Sequence, residues 1–162
     1  MKVVLQRVSE ASVGVVNELG ALDPTFEPQQ IAPGFMILVG VTDEDGDKQI
    51  AWLAHKILNL RVFEDAQGKM NRSIQDIGGE ILSISQFTLF ADVHKGNRPS
   101  FIKAGKPEHA DLMWIKFNEA LRSGGVPVKE GRFGAHMRVG LVNDGPVTII
   151  IDTEHDMPDG TR

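Results

Sequence analysis

What most limits the folds open to this chain is how closely its strand-forming runs follow one another. "KVVLQRV" (2–8) and "ASVGVV" (11–16) are separated by Ser9-Glu10 alone. "HMRVGLV" (136–142) and "PVTIIID" (146–152) are parted only by Asn143-Asp144-Gly145. Valine, isoleucine and threonine suit a pleated surface, and runs this close pair most simply as antiparallel neighbours. The first pair is therefore expected to form a hairpin at Ser9-Glu10. The second is expected to turn at Asn143-Asp144, with Gly145-Pro146 where the ladder would resume and where a proline removes a donor.

The middle of the chain adds further strands: the apolar run "FMILVGV" (35–41), a short strand in "LRVFED" (60–65), a long one in "EILSISQFTLFA" (80–91), and "VPVKEGRF" (126–133). The segment 17–34 carries three prolines and little pattern, and is expected to be an extended loop. Two stretches have helical period. Ile50, Leu53, Ala54, Ile57 and Leu58 make one apolar face, with Asp43 or Asp45 as candidate cap. Ala110, Met113, Trp114, Phe117 and Leu121 make another, on a helix from about Pro107 to Ser123 with Gly124 at its C′ position. Strands in hairpins and two main helices predict a single α+β domain, with a largely antiparallel sheet and helices on one side. The domain is expected to span 1–152, and the tail 153–162, "TEHDMPDGTR", to fray.

Composition excludes several chemistries. With no cysteine among 162 residues, disulfides, thiol catalysis and zinc–thiolate sites are all removed. The N-terminal apolar run is broken by Gln6 and Arg7, too early for a signal peptide or a membrane span, so a cytoplasmic protein with no membrane association is expected. The net charge of −5 argues against coating nucleic acid by bulk electrostatics, but not against a local basic patch. The five histidines show no metal-ligand spacing, and "TDEDGDK" places Lys48 and Ala54 where a calcium loop needs Gly and Glu. No nucleophile elbow, P-loop or dinucleotide fingerprint is present. No metal and no cofactor are therefore expected.

"SQFTLFAD" (85–92) stands out, because Ser85, Gln86 and Thr88 interrupt an otherwise apolar strand. On a strand, Gln86 and Thr88 would share one face and Ser85 and Phe87 the other. The plainer account is an edge strand with polar residues facing water. The other notes that His94, Lys95, Arg98, Lys103 and Lys106 follow closely, so hydroxyls and amides would stand beside concentrated positive charge, as at a pocket for an RNA terminus.

"SQFTLFAD", "KGNRPSF" (95–101), "FGAHMRV" (133–139) and "NDGPVT" (143–148), together with the opening "VVLQRVSEASVGV", resemble the motifs of the D-aminoacyl-tRNA deacylases. The resemblance runs from Met1 to about Asp152. It implies that family's barrel-like fold and hydrolysis, without a metal, of the ester joining a D-amino acid, or glycine mischarged on tRNA(Ala), to the 3′ end of tRNA. It implies a homodimer in which Gly145-Pro146, joined by a cis bond, reaches into the partner's active site. Residue by residue, it assigns Ser85, Gln86, Phe87 and Thr88 to the catalytic motif, Gly145 and Pro146 to the substrate-facing motif, and Arg7 to holding the latter in place. Thr88 is expected to position substrate, since no base within its motif could activate it. The 17–34 loop is longer than the family's usual turn. The competing readings are a non-catalytic RNA-end or nucleotide-binding module, and an aminoacyl esterase without chiral preference.

Overall fold

The computed structural model describes residues 1–158. Its first strand, β1 (Lys2–Val15), runs straight through Ser9-Glu10, so the expected N-terminal hairpin is absent. The reason is long-range. On one side β1 pairs antiparallel with β2 (Gln29–Ile31) and β3 (Gly34–Gly40), and on the other with β8 (Met137–Asp152) along nearly its whole length. Pairing with β8 at Val8 and Glu10, with β3 up to Val8 and with β2 from Ala11 holds the backbone extended where a two-residue polar insert alone would permit a turn. β2 also gives the 17–34 segment a strand of its own.

The second expected hairpin is absent for the same reason. β8 is a single strand of 16 residues, and both its halves pair with β1. Asn143 lies opposite Val8 and Thr148 opposite Gln6, so residues 144–147 stand against Arg7 alone. The Asn-Asp-Gly-Pro stretch is thus a large bulge on a continuing strand, not a reversal.

The six-stranded sheet runs β2-β1-β3-β6-β7, with β8 on the other edge of β1, and forms a nearly closed, barrel-like surface. β6 (Glu80–Ser85) pairs parallel with β3, and β7 (Val128–Glu130) parallel with β6. Parallel neighbours require crossovers, and α1 (Asp47–Asn59) and α2 (Pro107–Ser123) lie within them. Both βαβ units were invisible to a hairpin reading. A small ribbon, β4 (Phe63–Glu64) and β5 (Met70–Arg72), completes the first crossover.

The apolar faces of both helices are buried as the 3.6-residue spacing predicts, in one core with Val3, Leu5, Phe35 and Ile37. Asn118 joins the buried face of α2, and neither polar atom of its side chain has a partner among the described residues. The caps differ from expectation. Neither Asp43 nor Asp45 caps α1; Gln49 Oε1 accepts from the backbone N–H of Gly46 at 3.0 Å. Asp45 instead receives the backbone N–H and hydroxyl of Thr42 and the α-ammonium of Met1. At the end of α2 the left-handed residue is Gly125 (φ +89°), one position beyond Gly124.

The tail does not fray at its start. α3 (Thr153–Asp156) is capped by Asp152, Thr153 donates its N–H to Met1 O at 2.9 Å, and Met157 is buried. The rest of the expected tail, 159–162, lies outside the described residues.

Candidate active site

β6 ends at Ser85, and residues Phe87–Phe90 form a 3₁₀ turn, which corrects the strand expected to continue to Ala91. β3 stops at Gly40, so the ladder runs out after Gln86 N–H bonds Val39 O at 2.8 Å. The chain coils against Gly40, where any Cβ would sit 2.9 Å from the Phe90 ring. Gln86 and Thr88 are therefore joined by the turn and not by strand alternation. Gln86 Nε2 donates to Thr88 Oγ1 at 2.5 Å. The N–H groups of Phe87 and Thr88 open the turn, where the turn itself offers no carbonyl to receive them.

Ser85, Gln86 and Phe87 line a cavity of about 610 Å³ walled by Val39, Val41, Ile84, Trp114, Phe133 and Val139. Thr88 is exposed beside it and is not a lining residue. Phe87 packs edge-on against Phe101 at 5.1 Å, forming the mouth. Trp114 is fixed by donating Nε1–H to the buried Ser83 hydroxyl at 2.9 Å, and its ring meets Phe133. Among the described lining residues, His136 is the sole titratable side chain. Such walls suit a flat, weakly polar group, with polar recognition confined to the rim.

That rim is basic. His94, Lys95, Arg98, Lys103 and Lys106 are all exposed on the loop between the 3₁₀ turn and α2. The loop is shaped by the Asp92–Ser100 bridge, by Gly105 N–H to Val41 O, and by Lys106 N–H to Asp43 Oδ1.

The other predicted residues lie elsewhere. Gly145 and Pro146 are exposed at the β8 bulge, joined by a cis bond, and do not line this cavity. Arg7 is buried beneath them. Its Nε donates to Asp144 O at 2.8 Å and its Nη1 to Val62 O at 2.7 Å. Asn143 braces the bulge from within, its Oδ1 receiving the Val147 N–H and its Nδ2 donating to Thr148 Oγ1. At Gly145 φ is +143°, and a Cβ would stand 2.8 Å from Val147 Cγ2 and 3.2 Å from Arg7 Nη2. Only glycine suits both conditions.

The chain therefore brings Ser85, Gln86, Phe87 and Thr88 together at a cavity mouth, and Arg7, Gly145 and Pro146 together on a separate projection. Sequence reasoning missed Trp114, Ser83, Phe101 and Asn143 as parts of these sites. A second serine within the apolar strand and a tryptophan on a helix face were the available signals for Ser83 and Trp114, and Phe101 and Asn143 lay inside quoted motifs without an assigned role. Asp152, Glu154 and His155 bring ligand-type atoms within 4.8 Å of one another. Their proximity follows from Asp152 capping α3 while pairing with Lys2 at 3.1 Å.

Residues 4–152 match the family described as D-Tyr-tRNA(Tyr) deacylase. A D-aminoacyl-tRNA deacylase of Bifidobacterium longum subsp. infantis is 98% identical over the full length of both chains. One from Exiguobacterium sp. is 54% identical over 94% of this chain and 98% of that protein. Among solved structures, the c-Myc DNA unwinding element binding protein superposes with a TM-score of 0.81 at 43% identity, covering 94% of this chain and 98% of that one. A probable eukaryotic D-amino acid tRNA deacylase shares the fold at a TM-score of 0.76 and 17% identity, over 93% of this chain and 97% of that one. With the family matched across both motifs and the whole barrel, the chain belongs to the D-Tyr-tRNA(Tyr) deacylase family.

Proposed function

We infer that the chain hydrolyses the ester of D-aminoacyl-tRNA, releasing the D-amino acid and free tRNA. Family membership and near-identity to proteins of that name support this reading over a non-catalytic RNA-end binder. Glycine mischarged on tRNA(Ala) falls within the same substrate class, because it too lacks an L side chain. The exposed basic loop is the electrostatic counterpart of the acceptor-end phosphates. Translation takes place in the cytoplasm, and so does this reaction. No described helix is long and apolar enough to cross a membrane.

The ester is already an activated acyl group, so orientation and oxyanion stabilisation suffice. The N–H groups of Phe87 and Thr88 supply the oxyanion contact. Thr88, held by Gln86 and facing no basic side chain in its motif, positions substrate. The cavity offers no carboxylate and no lysine, so the ribose 2′-hydroxyl and water, with His136 as the one titratable side chain of the lining, are the groups available to carry the proton.

The observation that carries the dimeric part of the proposal is the separation of the two motifs. A projection pinned by a buried arginine, yet absent from the lining of its own chain's cavity, has a use when a second copy presents its cavity to it. In a two-fold dimer each Gly145-Pro146 enters the partner's site and blocks an L side chain sterically. Subunit mixing tests this. Thr88→Ala and Gly145→Ala chains, each impaired alone, are unfolded together and refolded. A composite site returns about a quarter of wild-type D-Tyr-tRNA hydrolysis on random pairing. No recovery on mixing would refute it. Release of amino acid from neither D- nor L-aminoacyl-tRNA by the wild-type chain would favour the binding module, and release from both an esterase without chiral preference.

A further inference from the structure

Five consecutive residues, Phe133 to Met137, line the cavity wall opposite the Ser85–Phe87 mouth. The arginines on either side of that stretch both turn to the same place, the long 17–34 segment. Arg132 Nη1 pairs with Asp23 Oδ2 at 2.9 Å, and its Nη2 donates to Thr25 O at 2.8 Å and Thr25 Oγ1 at 3.1 Å. Its guanidinium also lies over the Phe26 ring at 5.3 Å. Beyond the stretch, Arg138 Nη2 donates to Gly20 O at 3.1 Å. Within it, His136 O accepts the Val16 N–H at 2.8 Å.

The segment is itself firmly folded. Asn17 Oδ1 receives the N–H groups of Leu19 and Ala21, and Asp23 Oδ1 receives the N–H and hydroxyl of Thr25. Asp23 N–H returns to Val15 O, and Phe26 packs on the second core cluster. From 17 to 34 the sequence holds Glu18, Asp23 and Glu27 and no lysine or arginine. A segment of that charge repels a phosphate backbone, so tRNA contact does not account for it.

We propose that the 17–34 segment is a brace for the substrate cavity, and that Arg132, through Asp23 and Thr25, is a positioning residue that sets where the Phe133–Met137 wall stands. Arg132 touches no substrate. It acts through Phe133, whose ring rests on the Ser83-anchored Trp114. A wall that holds bound substrate equally in the ground and transition states contributes to affinity more than to turnover. Loosening it therefore raises KM and leaves kcat near its original value.

The inference rests on the deacylase reading, and its test separates the two. Dissociation constants are measured for an amide-linked D-tyrosyl-adenosine, which is not hydrolysed, alongside kcat and KM on D-Tyr-tRNA, for wild type, Arg132→Ala, Asp23→Ala, the double variant and Arg132→Lys. Each single alanine variant is expected to weaken the probe and raise KM by about tenfold with kcat within about twofold. The double variant is expected to lose less than the two singles summed, since both remove the shared Arg132–Asp23 pair. Arg132→Lys is expected to recover part of the loss by keeping the charge opposite Asp23. A second readout uses a Trp52→Phe background, in which Trp114 is the remaining tryptophan. Its emission is expected to shift in Arg132→Ala, as Phe133 moves. Unchanged probe affinity and KM in a folded Arg132→Ala chain would overturn the brace while leaving the deacylase reading intact. So would losses in the two single variants that simply add. A wild-type chain that releases no D-amino acid would overturn the deacylase reading first.

Discussion

Replacing Arg7 by methionine keeps most of the buried stem and removes both hydrogen bonds, which makes it the sharpest probe of the β8 bulge. The two losses differ in kind. Val62 is 8% exposed, so its carbonyl is left nearly dry and without a donor, at a cost of about 1–3 kcal/mol. Asp144 is exposed, so water replaces the lost bond to its carbonyl and that share is about 0.5–1 kcal/mol. The sum is about 2–3 kcal/mol once the relief of removing a buried guanidinium is set against it. For a chain of this size that lowers Tm by roughly 4–12 °C. On the proposed reading the Val62 bond governs stability and the Asp144 bond governs function, because only the latter fixes the projection that carries Gly145. Arg7→Lys, whose single ammonium reaches one carbonyl at a time, should lose about half as much stability. Thermal melts measure the first effect, and release of amino acid from D- and L-Tyr-tRNA well below Tm measures the second. An Arg7→Met chain that melts with wild type, or that melts lower yet keeps full D-specific hydrolysis, would refute the division of labour.

Gly34→Ala should destabilise by at least about 3 kcal/mol, because the new Cβ would fall 1.8 Å from the Glu80 carbonyl oxygen where β3 and β6 begin to pair; an unchanged urea midpoint would contradict this close approach. Asn118→Val should raise stability by about 1–2 kcal/mol, since it removes two buried polar groups that find no partner and nearly conserves volume, and a lower midpoint would show that the amide is satisfied in solution. Burial alone would raise the Asp152 carboxyl, but Lys2 and the Glu154 N–H outweigh it and hold it below the usual aspartate range. Because the folded value is the lower one, this stability is present above the ordinary value near about 3.9 and is lost as pH falls through the folded value. Asp152→Asn should therefore be less stable than wild type near neutrality, by about 0.5–1 kcal/mol for a partly exposed pair, and the gap should close in acid; a gap independent of pH would disprove the assignment.

How much of this could be read beforehand differs from element to element. The buried faces of α1 and α2 were legible, because a helix satisfies its own backbone within four residues and its apolar spacing reports directly which side is covered. The residues of the cavity mouth were legible as motifs, since Ser85, Gln86 and Thr88 are out of place in an apolar strand. Their geometry was not. Whether the chain continues extended past Ser85 depends on where β3 stops offering partners, and β3 lies some 45 residues away in sequence.

By itself, then, the sequence determined the helices, the strand-forming runs and the family, because each is carried by short-range pattern or by matching motifs. The tertiary structure alone decided that both expected hairpins are single strands, since a strand's hydrogen bonds are made with other parts of the chain. It decided that "NDGP" is a bulge fastened by Arg7 and Asn143, and that the 17–34 segment leans on the cavity wall through Arg132. The Arg7–Asp144 and Arg132–Asp23 contacts span 137 and 109 residues of sequence, a range over which no local pattern carries information.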